Sequence, residues 1–173
     1  GEFYLGCAGG IDVNVTRAYA SEPLPPGFAH FEISLCGLIG GHSGVDIDLE
    51  RGNAIKLLVR LLRNLENRFG RDLRLISLSG GSARNALPRE ARAQIALPSA
   101  LAPRVARRIA DFQQLLRSEL AGVDEGLSLL IKELDQEARS AITHGDQQIL
   151  LCALNAAPHG VRRMSQRVPG TVE

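Results

Sequence analysis

The sequence has no tryptophan, one methionine, and aromatic residues at only 4% of its 173 positions. So few rings exclude the stacking surface on which single-stranded nucleic-acid binders depend. Net charge is nearly absent as well, because twenty basic side chains meet nineteen acidic ones. That removes the electrostatic case for nucleic acid, an anionic membrane or a polyacidic partner. No apolar run approaches the ~20 residues of a membrane-spanning helix, and the amino terminus lacks the basic and then apolar segments of an export signal. Cysteine is scarce and odd in number: Cys7, Cys36 and Cys152 stand far apart among apolar neighbours, which reads as buried free thiols and excludes a disulfide framework. A reducing, cytoplasmic setting is expected. There is no internal repeat and no low-complexity tract.

What is present is 45% hydrophobic residues, enough for one core in a single domain. Ile11, Val13, Val15 and Tyr19 alternate with polar residues as a strand does, and "SEPLPPG" then breaks the chain. "HFEISLCGL" alternates again, with Phe31, Ile33 and Leu35 on one face. From about Arg51 to Phe69 the period becomes helical, through Ile55, Leu58, Leu62, Leu65 and Phe69, and a second row of Ala54, Leu57 and Leu61 widens the apolar face. Lys56, Arg60, Arg63 and Asn67 read as the solvated face. So wide an apolar face suggests a dimer surface formed by this helix and one sheet edge.

"DLRLISLSGG" and "REARAQIALP" read as two strands joined by a glycine- and proline-containing turn, and "SALAPRVARRIADFQQLLRSEL" as a second amphipathic helix with Pro103 in its first turn. "LSLLIKEL" is a further strand. The order from His30 to Leu134 is strand, helix, strand, strand, helix, strand, which predicts an α+β fold: a ferredoxin-like two-layer sandwich with helices on one face of an antiparallel sheet. An extra N-terminal strand, Ile11 to Tyr19, would extend that sheet, and "THGDQQILLCALNAA" supplies a C-terminal helix started by Thr143 and Asp146.

No metal site can be assembled from spacing alone, because His30, His42, His144 and His159 share no ligand pattern and the chain has no CxxC, HxH or HExxH. "DIDLE" lacks the glycine and distal glutamate of a calcium loop. Ser43, Ser79 and Ser82 lie in turns without a nucleophile elbow, and "GLIGGHSG" lacks the Lys-Ser/Thr of a phosphate loop. Two loops hold more. "CGLIGGHSGVDID" sets His42 among four glycines where a strand gives way to a helix, and "GGSARNALPREA" places Arg84 and Asn85 at a hairpin tip, a guanidinium fork beside an amide. On chemistry alone the chain could be a free-standing ferredoxin-like regulatory module holding a small anion or amino acid at its glycine loop.

Four stretches carry a resemblance. "GCAGGIDV", "GLIGGHSGVDIDLERGNAIKLLVRLL", "GGSARNALPREA" and "NAAPHGVRRMSQRVPGTVE" resemble, in order and over essentially the whole chain, the middle of the aminoacyl-histidine dipeptidases. These are also called peptidase D, Xaa-His dipeptidases or bacterial carnosinases, and are zinc enzymes. The resemblance implies a lid and dimerisation domain inserted into a catalytic domain that binds two zinc ions, with the metal ligands outside this segment. It divides the chain into a flank at 1–10, a lid at 11–157 and a returning flank at 158–173. It implies that His42 contacts the scissile carbonyl oxygen of a dipeptide, in dimeric members within the partner subunit's active site. It further implies that Asn85 meets substrate, and that Arg84, Arg162 or Arg163 binds the substrate carboxylate. The segment alone is expected to be inactive, and its partners to be its own catalytic domain and a second copy.

Overall fold

The computed structural model describes residues 9–135, 138–170 and 172. It divides into Tyr19–Gly160 and a smaller unit built from the two chain ends, Gly1–Ala18 and Val161–Glu173. In the smaller unit Met164 and Val172 form an isolated antiparallel bridge. Residues 9–18 adopt no regular secondary structure, which corrects the strand expected over Ile11 to Tyr19. A strand needs a ladder and a face to bury; Ile11, Val13, Val15 and Tyr19 instead lie 64% exposed or more. Alternation of apolar and polar residues is equally compatible with an extended coil.

The larger unit runs β1 (Ser21–Pro23), β2 (Phe28–Cys36), β3 (Gly41–His42), α1 (Ala54–Phe69), β4 (Arg74–Gly80), β5 (Ala86–Leu87), β6 (Ala91–Pro98), α2 (Ala102–Glu119), β7 (Ser128–Glu133), β8 (Ser140–Ile142) and α3 (His144–Ala156). Four strands form one sheet in the order β4-β6-β2-β7, every neighbour antiparallel. The expected α+β arrangement therefore forms, and α3 is the expected C-terminal helix. Phe31, Ile33 and Leu35 of β2 and Ala91, Ala93, Ile95 and Leu97 of β6 are buried, as one parity of each strand must be when helices cover one face. β4 breaks that parity. A bulge at Ile76, between the paired positions Leu75 and Ser77, returns Leu78 to the core side, where strict alternation would have left a serine.

The first strand of the unit does not extend this sheet. β1 pairs instead with β8, Ser21 opposite Ile142, a strand that periodicity did not reveal because it is three residues long. Arg74, buried on β4, holds the pair in place: its Nη2 forms an ion pair with Glu22 and donates to the carbonyl of Ile142.

α1 is the hub of the core. Its cap is Asn53, whose Oδ1 accepts from the Lys56 amide at 3.2 Å. Leu57, Leu58, Leu61, Leu62 and Leu65 are all buried, covered by the sheet, α2 and α3. The wide apolar face is thus spent inside the chain, which removes the reason for reading it as a dimer surface. Its polar side is not simply solvated either. Lys56 Nζ donates to the carbonyls of Leu154, Asn155 and Ala157 at 2.9, 2.7 and 2.6 Å, tying down the C-terminus of α3. Arg60 meets Glu119 of α2 through two bonds of 2.8 and 2.9 Å; hydrogen bonding to Arg60 holds the Glu119 carboxyl below its ordinary range.

A buried polar seam joins α3 to the rest. Gln147 donates through Nε2 to Glu66 Oε1 at 2.8 Å and accepts through Oε1 from the Leu75 amide at 2.7 Å. The thiols are less buried than expected. Cys36 lies on the outward parity of β2 and is half-buried, and Cys152, on α3, is exposed; Cys7 lies outside the described residues.

Candidate functional site

The two loops singled out in the sequence are joined in space. β3 pairs with β5 antiparallel, Gly41 opposite Leu87 and His42 opposite Ala86, and the Ser43 amide donates to the Asn85 carbonyl at 2.9 Å. His42, Arg84 and Asn85 therefore belong to one corner of the larger unit, and all three side chains are exposed.

The glycines around His42 serve close approach. A Cβ on Gly37 would collide with the carbonyl of Gly126, so the chain can leave β2 here only as glycine. Gly41 has φ +145°, and a Cβ there would overlap the Arg51 guanidinium and the Asp46 carboxylate. A Cβ on Gly44 would stand 3.3 Å from the imidazole of His42. The loop is braced, not loose: Asp46 Oδ2 accepts from the His42 amide at 2.7 Å, and Arg51 Nη1 donates to the Gly40 carbonyl at 2.6 Å while standing 3.6 Å from Asp46 Oδ2.

The imidazole itself is oriented by the backbone. Its Nδ1 accepts from the amides of Gly44 at 3.0 Å and Val45 at 3.2 Å. Two N–H donors aimed at one ring nitrogen require a lone pair there, so the neutral ring carries its proton on Nε2. Nε2–H, on the far side of the ring, is the donor left for a partner.

Beside His42 an open groove of about 480 Å³ is lined by Ser43, Asn53, Arg84, Pro88 and His159, among others. His159 and Asn53 were not among the residues singled out from sequence. Because the Oδ1 of Asn53 caps α1, its Nδ2 faces His159 Nδ1 at 3.2 Å, which makes that nitrogen an acceptor too. Burial, with the nearby Lys56 charge adding to it against a hydrogen bond involving the Arg51 backbone, pushes the His159 pKa down. In sequence His159 is one residue of a proline- and glycine-flanked tail with no period; the Lys56 clasp on the end of α3 and the Asn53 bond to His159 bring that tail back to α1. Arg162 and Arg163 belong to the smaller unit and are exposed there.

Among the described residues no group of three or more histidines, cysteines or carboxylates could hold a metal ion, and no helix is long and apolar enough to cross a membrane. The arrangement gathers an Nε2–H, a guanidinium and an amide on one braced corner.

Comparison with known proteins fits this corner into a larger frame. Over all 173 of its residues the chain is 40% identical to the cytosol non-specific dipeptidase of Escherichia coli (strain K12), of which it covers 35%. The crystal structure of aminoacylhistidine dipeptidase from Vibrio alginolyticus superposes with a TM-score of 0.85 at 40% identity, covering 90% of this chain and 31% of that one. The chain thus spans about a third of the length of the relatives it matches. The peptidase dimerisation domain model matches residues 33–124, from the middle of β2 to the turn before β7. The chain belongs to the M20 peptidase dimerisation domain family.

Proposed function

We propose that the chain is the lid and dimerisation domain of a metal-dependent dipeptidase acting on Xaa-His dipeptides, with the catalytic domain supplied by the rest of the polypeptide. In this reading His42 donates from Nε2 to the oxygen of the scissile carbonyl. Negative charge grows on that oxygen as the tetrahedral intermediate forms, and a donor fixed in advance stabilises it without having to reorganise. The observation that carries the proposal is the engagement of Nδ1 by two backbone amides, which leaves the ring a donor and not a base. Ile39, Val45 and Leu49, on the same segment as His42, are exposed and supply apolar surface of the kind that excludes water when a site closes.

Asn85 would contact substrate beside His42. Arg84, Arg162 and Arg163 are the candidates for the dipeptide carboxylate, which a guanidinium binds through two parallel hydrogen bonds. By resemblance two zinc ions would be held by ligands of the catalytic domain, outside this segment. The lid pairs with a second copy and presents His42 to the partner's active site, in the cytoplasm. The chain by itself is inactive.

The test is turnover of Xaa-His dipeptides by the full-length protein carrying His42→Ala. Loss of about 10²–10³ in kcat, with metal content unchanged, is expected. Unchanged turnover, an equal loss of metal, or hydrolysis by the isolated chain would overturn the reading.

A further inference from the structure

The segment carrying His42 leaves the core after β2 and returns to it at α1, and both of its ends are tied to one carboxylate. Asp124, in the turn between α2 and β7, is 1% exposed. Its Oδ1 accepts from the Ile39 amide at 2.7 Å and its Oδ2 from the Gly52 amide at 2.6 Å. The turn is itself fixed, because the Asp124 amide donates to the Leu120 carbonyl at the end of α2 and its carbonyl accepts from the Leu127 amide. Space is reserved for the contact: a Cβ on Gly52 would stand 3.2 Å from Asp124 Oδ2. Inside this outer clasp lies Arg51 on Gly40 and Asp46. Inside that lies Asp46 on the His42 amide, and innermost the two amides on the imidazole.

A buried carboxylate is costly unless its oxygens are satisfied. One that satisfies two amides of an irregular loop could be serving the backbone alone. The geometry points further, because the two amides belong to opposite ends of one loop and the clasps within it converge on a single ring. We infer that Asp124 is a positioning residue: it sets where His42 stands, and so how well Nε2–H meets the substrate carbonyl. The inference rests on the reading of His42 given above. A displacement of about 1 Å at such a donor can cost on the order of 10²-fold in rate.

The experiment is a double-mutant cycle in the full-length protein, with kcat, KM and Tm measured for Asp124→Asn, His42→Ala and the pair. Asparagine keeps the shape but has one acceptor oxygen, and its amide group would face the other backbone N–H, so one end of the loop opens. Asp124→Asn should lower kcat at least about tenfold, move KM less, and add nothing further once His42 is alanine. Wild-type turnover in Asp124→Asn, or a loss that multiplies with that of His42→Ala, overturns the positioning role and leaves the reading of His42 intact. Wild-type turnover in His42→Ala overturns both. If Asp124→Asn does not fold, Gly52→Ala crowds the same oxygen without removing it. A smaller loss, again absent when His42 is alanine, is expected, and a multiplicative one overturns the proposal.

Discussion

The helix-on-sheet core and the His42 corner sit in the same unit and are held by opposite means. Around α1, Leu57, Leu58, Leu61, Leu62 and Leu65 are buried against the sheet and two other helices, and the order of that region follows from removing apolar surface from water. Around His42 the apolar residues face outward, Ile39 at 56% and Val45 at 78% exposed, and polar bonds hold the chain: Asp124, Arg51 and Asp46 on backbone amides and carbonyls. The first region rests mainly on buried apolar surface, with polar ties such as those of Lys56 and Gln147 at its margins. The second depends on individual atoms, and glycine is needed where those atoms come close. A donor serving a transition state has to be placed to fractions of an ångström, and under the proposed reading of His42 the braced corner meets that demand.

That contrast can be broken from the core side first. Leu61→Ala removes a fully buried side chain at the centre of α1 and should cost about 2–5 kcal/mol of stability, read by denaturant unfolding, while the surviving folded protein keeps its kcat. If kcat falls in step with stability, the corner is not independently braced. The polar seam under α3 comes next. Gln147→Leu strands the Leu75 amide and the Glu66 carboxylate, both of which Gln147 now pairs, at roughly 1–3 kcal/mol for each group left unpaired. A neutral substitution there would show that packing alone holds α3.

The smallest effect is a pH dependence at the groove. Burial lowers the His159 pKa in the folded state, so between that value and the ordinary histidine pKa of about 6.5 the unfolded chain binds a proton that the folded one refuses. His159 therefore costs nothing above that range and destabilises the fold progressively as pH falls through it. His159→Asn should flatten the acid side of a Tm-against-pH curve below about pH 6.5, relative to the unsubstituted protein. An identical slope in both would show that His159 does not titrate differently on folding.

The same contrast explains what was legible in the sequence. The strand-helix-strand-strand-helix-strand order, α1, and α3 behind Thr143 follow from periods of 2 and 3.6 and from caps. The bulge at Ile76 hides in "RLISLS", where the step from Leu75 to Leu78 breaks the alternation. Ile11 to Tyr19 has the pattern of a strand but joins no ladder among the described residues. At the site, local chemistry marked His42, Arg84 and Asn85. It left the β3–β5 pairing unseen, because two residues on each side carry no periodicity. His159 and Asp124 were invisible for a different reason: Lys56 and two loop amides, distant in sequence, give them their places.

In the proposed function His42 acts as a neutral donor through Nε2. The most direct test is the ring-nitrogen NMR spectrum of imidazole-labelled full-length protein, recorded with and without a dipeptide analogue bearing a tetrahedral oxyanion. A neutral ring protonated at Nε2 is expected, with that nitrogen shifting when the analogue binds. A ring protonated at Nδ1, or an Nε2 signal that ignores the analogue, would contradict it.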